Sequence, residues 1–222
     1  MPKGRVTLAK ARDFKAAVDD WVELFELWID VVAREDLHRE QIKVERQGQS
    51  AFVWLDRGRE PEGEFLPAKH RIMVHFGTKL AVTPWQWGKV LAKASAGATP
   101  PEAHVFLWDA RRAKNAGHYR RSVLDSATAA ELSLAKLRDA CLRNSDARLA
   151  SYVSTKARQI DGLSRFLKDM GRKLPAGIKD DLNEPRNKAI HAGHELDEDV
   201  ATKALEKAEE LLDLAFPWKK LL

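Results

Sequence analysis

With 222 residues the chain is long enough for one large domain or two small ones. Its apolar fraction of 44% is that of an ordinary globular protein, no apolar run approaches the ~20 residues of a membrane-spanning helix, and its single cysteine excludes an internal disulfide. The 38 basic and 33 acidic residues leave a net charge of +5, so any phosphate-binding surface must come from local clustering. Met1–Lys10 carries basic residues without an apolar stretch behind them, so no secretory signal is expected there. The lone thiol fits a reducing cytoplasm.

The first predicted element is an amphipathic helix over residues 13–35. Phe14, Val18, Trp21, Phe25, Trp28 and Val32 recur at helical spacing with acids between them. From residue 40 the period changes. Ile42 and Val44 alternate with polar neighbours, a Gln47-Gly48-Gln49 turn follows, and then come Ala51–Leu55, Arg71–Phe76 and Lys79–Val82. These predict four short strands of a small antiparallel sheet, with Arg57–Pro67 as a loop. Thr83-Pro84-Trp85-Gln86 has the form of a capping box with proline in the first turn, so a helix is expected to run from there to about Gly97. Trp85 and Trp87 are expected in the core of this small unit, although tryptophans beside a helix start also suit base stacking.

Gly97–Pro101 reads as a linker, which divides the chain into an α+β domain over residues 1–98 and a helical domain over residues 101–222. In the second, Glu102–Ala116 is helical and breaks at Gly117. Tyr119–Leu142 carries a packing seam through Tyr119, Val123, Ala127, Ala130, Leu134, Leu137 and Cys141, which gives Cys141 a packing role. Ala150–Met170 repeats the pattern as a further helix ending at Gly171. Asp199–Ala215 is the last, with Asp197 as its N-cap. The fold class expected is therefore mostly α: a four- or five-helix bundle preceded by a small α+β domain with a short antiparallel sheet.

Between the last two long helices, Leu174–His194 is longer and more polar than a bundle connector requires. Its densest part is Asn183-Glu184-Pro185-Arg186-Asn187-Lys188-Ala189-Ile190-His191-Ala192-Gly193. Pro185 predicts the first turn of a short helix with Glu184 outside it, which would place Arg186 among free amide groups that attract anions. Asn187 and His191, four apart, share a face of that helix. Histidine serves as acid or base near neutral pH, and arginine holds two phosphate oxygens at once. Glu131, at the edge of the apolar stripe between Ala127 and Leu134, needs a partner if buried. Arg186 and Arg138 both qualify, and a solvent-facing carboxylate is the third option.

The arginine, the polar residue after it and the histidine five positions on, set between long helices of this order and spacing, resemble the HEPN family over about residues 101–222. The resemblance implies a metal-independent endoribonuclease that needs no cofactor. Arg186, His191 and Asn187 would form a catalytic site where two protomers meet, with Glu131 in support. It equally admits a non-catalytic RNA- or nucleotide-binding module in a larger assembly, or a toxin or defence effector restrained by an inhibitory or antitoxin protein. One toxin subgroup carries a tyrosine two residues after the histidine, where this chain has Gly193. From the residues themselves, Arg186 and His191 lie well apart around an ideal helix, so a twofold homodimer is the expected way to complete a site. Lys188 raises the local potential. Arg111, Arg112, Arg120 and Arg121 form the densest basic run and suit an RNA backbone, although such runs are more often a solvated face. His191, His194 and Glu195 are too loosely spaced to predict a metal. The tail from Phe216 to Leu222 is expected either to dock a partner or to pack on its own bundle.

Overall fold

The computed structural model describes residues 8–33, 51–52, 66–67, 82–191, 196–217 and 221–222. Its contacts fall into two compact units that divide between Thr99 and Pro100.

In the first unit, α1 spans Leu8–Ala33 and α2 spans Pro84–Ser95. The capping box at α2 forms as the sequence predicts: Thr83 Oγ1 accepts from the Gln86 amide at 3.3 Å, and Gln86 Oε1 accepts from the Thr83 amide at 2.7 Å. Trp28 is the buried anchor, 2% exposed, and its Nε1 donates to the Ala98 carbonyl. Trp85 and Trp87 depart from expectation. They are 59% and 46% exposed, because α2 turns Val90 and Ala94 inward instead. Trp87 lies edge-on to Phe25, which stacks on Trp21. Among the described residues, extended pairing is confined to β1 (Ala51–Phe52) and β2 (Leu66–Pro67), antiparallel, with Ala51 opposite Pro67. The predicted four-stranded sheet is not seen there. β2 falls at the end of the stretch read as a loop, and Val82, read as strand, is a bend. The remaining strand predictions fall outside the described residues.

The second unit is a helical bundle: α3 (Glu102–Asn115), α4 (Tyr119–Leu142), α5 (Ala147–Lys156), α6 (Ile160–Asp169), a π-helical turn (Ile178–Asn183), α7 (Glu184–His191) and α8 (Glu198–Ala215). Gly117, at φ 78°, reverses the chain between α3 and α4. Asp197 caps α8 by accepting from the Val200 amide at 2.9 Å, as expected. The hub is α4, which packs against α3, α6, α7 and α8. Its buried positions are mostly small, Ser122, Ser126, Ala127, Ala129, Ala130 and Ser133, so neighbouring backbones approach closely, while Val123 and Leu134 fill the space between them. Cys141 packs at the edge of this core, where its sulfur accepts from Arg172 Nε. Phe216, the start of the tail, packs on the bundle, edge-on to His104. No helix among the described residues is long and apolar enough to cross a membrane.

Two of the buried serine hydroxyls on α4, Ser122 Oγ and Ser126 Oγ, have no hydrogen-bond partner. Serine also favours a helix less than alanine does. Ser126→Ala is therefore expected to stabilise the protein by about 1 kcal/mol, read as a rise in the denaturant midpoint with an unchanged slope.

Two expectations are corrected in this unit. The single helix read over Ala150–Met170 is broken at Ala157–Gln159 into α5 and α6. Arg138 Nη1 takes the Ala157 carbonyl at 2.9 Å, so a side chain of α4 replaces the hydrogen bond that a continuous helix would have made. Pro185 lies in the first turn of α7, as expected, but Glu184 is not outside that helix. The π-helical turn runs directly into α7, and Glu184 is itself helical at φ −66°, ψ −47°. A wide i→i+5 turn upstream makes room for a ring that a regular helix would push against the preceding carbonyls. The segment starts instead at Gly177, φ 79°, where a Cβ would collide with the Asp181 carboxylate. Arg186 thus sits within a continuous helical segment, away from any open helix start.

Candidate functional site

The candidate site is α7 and the face of α4 that holds it. Arg120, Ala127, Glu131 and Arg138 recur at steps of seven and four and so line one stripe of α4. At one end of α7, Arg120 Nε donates to the Ala189 carbonyl at 2.8 Å, satisfying an acceptor in the helix's last turn. Toward the other, Glu131 Oε1 lies 3.4 Å from Arg186 Nη2, with both side chains about one-quarter exposed. Pro185 and Ala189 face the core, and Ala189 is fully buried. That anchoring turns Asn187, Lys188, Ile190 and His191 outward. Arg186 bends back along the surface, and its Nη1 donates to Asn187 Oδ1 at 3.4 Å.

Of the three partners open to Glu131, the structure selects Arg186. Arg138 is engaged elsewhere, with Asp139 and with the Ala157 carbonyl. The Ile160 amide, at the start of α6, also bears on the Glu131 carboxylate and pulls its pKa down. Burial raises its pKa above the ordinary 4.5, and the opposing pull of Arg186 and the Ile160 amide does not cancel that rise.

The sign of this shift makes a prediction. A carboxyl whose folded pKa is raised binds protons more tightly when folded, so its contribution to stability is complete below the unfolded value and is lost as pH rises through the folded one. Glu131→Gln cannot lose it. The melting temperature of Glu131→Gln minus that of the parent is expected to become more positive as pH rises from the ordinary carboxylate range through the raised folded value, then level off. A difference that falls over this range would show the ion pair outweighing burial.

The basic run divides by role. Arg111 is committed to α8, with Nη2 2.6 Å and Nε 2.9 Å from Glu209 Oε1, and is largely buried. Arg120 is committed to α7, as above. These two were read with the RNA-facing residues, but their guanidinium groups hold the bundle together. Arg112 extends over the Trp108 ring at 5.5 Å, and Arg121 pairs with Asp125 at 3.3 Å while remaining two-thirds exposed. Sequence reading missed the clasping roles of Arg120 and Arg138. The spacing of Arg120 and Arg138 from Glu131, eleven and seven residues, was the available signal.

What the fold defines is a helical-bundle protein that presents a short polar helix at its surface. No family model, no curated protein and no solved structure matches the chain.

Proposed function

We propose that the chain is a metal-independent endoribonuclease of the HEPN type, cutting RNA at a site completed by two copies. The observation that supports this most directly is the Glu131–Arg186 pair beside the outward-facing Asn187 and His191. It holds a cation in place on the helix that displays the imidazole. RNA brings its own nucleophile. The His191 of one protomer takes the proton of the 2′-hydroxyl, whose oxygen attacks the adjacent phosphorus. The 5′-oxygen leaves with a proton from the second protomer's His191, and the Arg186 guanidinium groups neutralise the non-bridging oxygens. Asn187, already an acceptor for Arg186, offers its amide N–H groups to phosphate. Ile190, 43% exposed between these polar residues, supplies an apolar contact for the twofold partner.

The test is incubation of purified protein with mixed cellular RNA in the presence of a chelator. Fragments ending in a 2′,3′-cyclic phosphate and a 5′-hydroxyl are expected. Cleavage that stops in chelator, or ends carrying a 5′-phosphate, would exclude this chemistry.

A further inference from the structure

The corner between α3 and α4 holds a cleft of about 350 Å³ lined by Asp109, Arg112, Ala113, Ala116, His118 and Arg121. The hollow has a simple cause. The chain reverses at Gly117, and the positions on the inner side of the turn, Ala113 and Ala116, have no side chain beyond Cβ to fill it. Ligand pockets span roughly 300–1,000 Å³, so this one has room for a mononucleotide and little more.

The chemistry of the rim narrows the choice of ligand. Two arginines and a histidine are among the six residues that line one small opening. Arg121 pairs with Asp125 through a single contact at 3.3 Å, and its own side chain is two-thirds exposed, which leaves donors free for a further acceptor. His118 makes no capping bond to α4, which leaves its ring available to the cleft. A bare inorganic anion would nonetheless be poorly matched, because Asp109 stands on the same rim and Asp125 lies near it. A ligand with both a phosphate and sugar hydroxyls satisfies all of these groups: phosphate oxygens accept from the arginines, and a hydroxyl donates to Asp109. We propose that this cleft binds a ribonucleotide, through phosphate contacts to Arg112, Arg121 and His118 and a ribose hydroxyl contact to Asp109. The ligand is either a free nucleoside monophosphate or one unit of an RNA strand. The inference is independent of the nuclease reading, since none of these residues belongs to α7 or to the stripe that holds it.

The test is calorimetric titration of the full chain with adenosine monophosphate, with inorganic phosphate, and with a short oligoribonucleotide added to the non-cleaving His191→Ala protein. Two variants accompany each titration. Arg121→Ala removes an exposed charge and is expected to weaken binding roughly tenfold. Ala116→Phe fills the cleft without changing charge and is expected to abolish binding. Monophosphate binding weakened by Arg121→Ala and abolished by Ala116→Phe identifies a free nucleotide as ligand. Oligonucleotide binding that follows the same pattern, with none to the monophosphate, identifies a unit of a strand. Binding that Ala116→Phe leaves intact, inorganic phosphate binding as tightly as the nucleotide, or no binding to either nucleotide probe would overturn the proposal. RNA cleavage is not read in any arm, so a failure here is separate from a failure of the nuclease reading.

Discussion

Replacing His191 with alanine is expected to lower RNA cleavage by a factor of roughly 10²–10⁴, the usual contribution of a general acid or base, and toward the upper end because one substitution removes both groups from a twofold site. The fold should survive. His191 is exposed at the end of α7, and the anchoring of that helix lies in Pro185, Ala189, Arg120 and Glu131. The unfolding free energy of the variant is therefore expected within about 0.5 kcal/mol of the parent, the range of surface substitutions. Arg186→Ala should behave differently, slowing cleavage and also costing stability, because it leaves the Glu131 carboxylate half-buried without its cation. If His191→Ala cut RNA at the parent rate, the enzymatic reading would fail, whatever the behaviour of Arg186.

The largest effect on stability is expected at the hub of the bundle. Leu134 is fully buried near the middle of α4, where most of the helix's other buried positions are alanine and serine. Small neighbours cannot move in to close the gap, so Leu134→Ala should cost about 3 kcal/mol, from lost burial together with the cavity left behind. Denaturant unfolding followed by far-ultraviolet circular dichroism measures it as a lowered midpoint. Leu214→Ala, at a position 47% exposed on α8, is the control and should change the midpoint little. Equal losses at the two positions would mean that α4 is not the hub.

Periodicity carried the helices well wherever one helix buried one stripe. Tyr119–Leu142 was read with the bounds that α4 has, the capping box at Thr83 formed as its residues require, and Asp197 caps α8. Each of these depends on residues within one turn of each other, so local sequence suffices. Reading failed where the deciding partner lay elsewhere in the chain. The run Ala150–Met170 has an unbroken helical pattern, yet it breaks where Arg138, 19 residues upstream, takes the Ala157 carbonyl. The proline rule rightly put Pro185 in a first turn, but it also put Glu184 outside the helix, and Glu184 instead continues from a π-helical turn. Tryptophan's size argued for burial of Trp85 and Trp87, and α2 turned smaller residues inward instead.

The candidate site shows the same division. Residue type and spacing singled out Arg186, Asn187, His191 and Glu131, because their chemistry is visible in their names and their order. What each side chain of the basic run does was decided in three dimensions. Arg111 is drawn into the bundle by Glu209, Arg120 stays exposed but bonds the Ala189 carbonyl, and Arg112 and Arg121 stay at a cleft that two alanines leave open. A charge far along the chain acts only where folding brings it close, so a stretch of arginines written side by side cannot declare which of them will hold the fold and which will meet a ligand. The chain alone determined that this is a largely helical protein with a polar hinge before its final helix. The packing around α4 decided how that hinge is gripped and which way its side chains face.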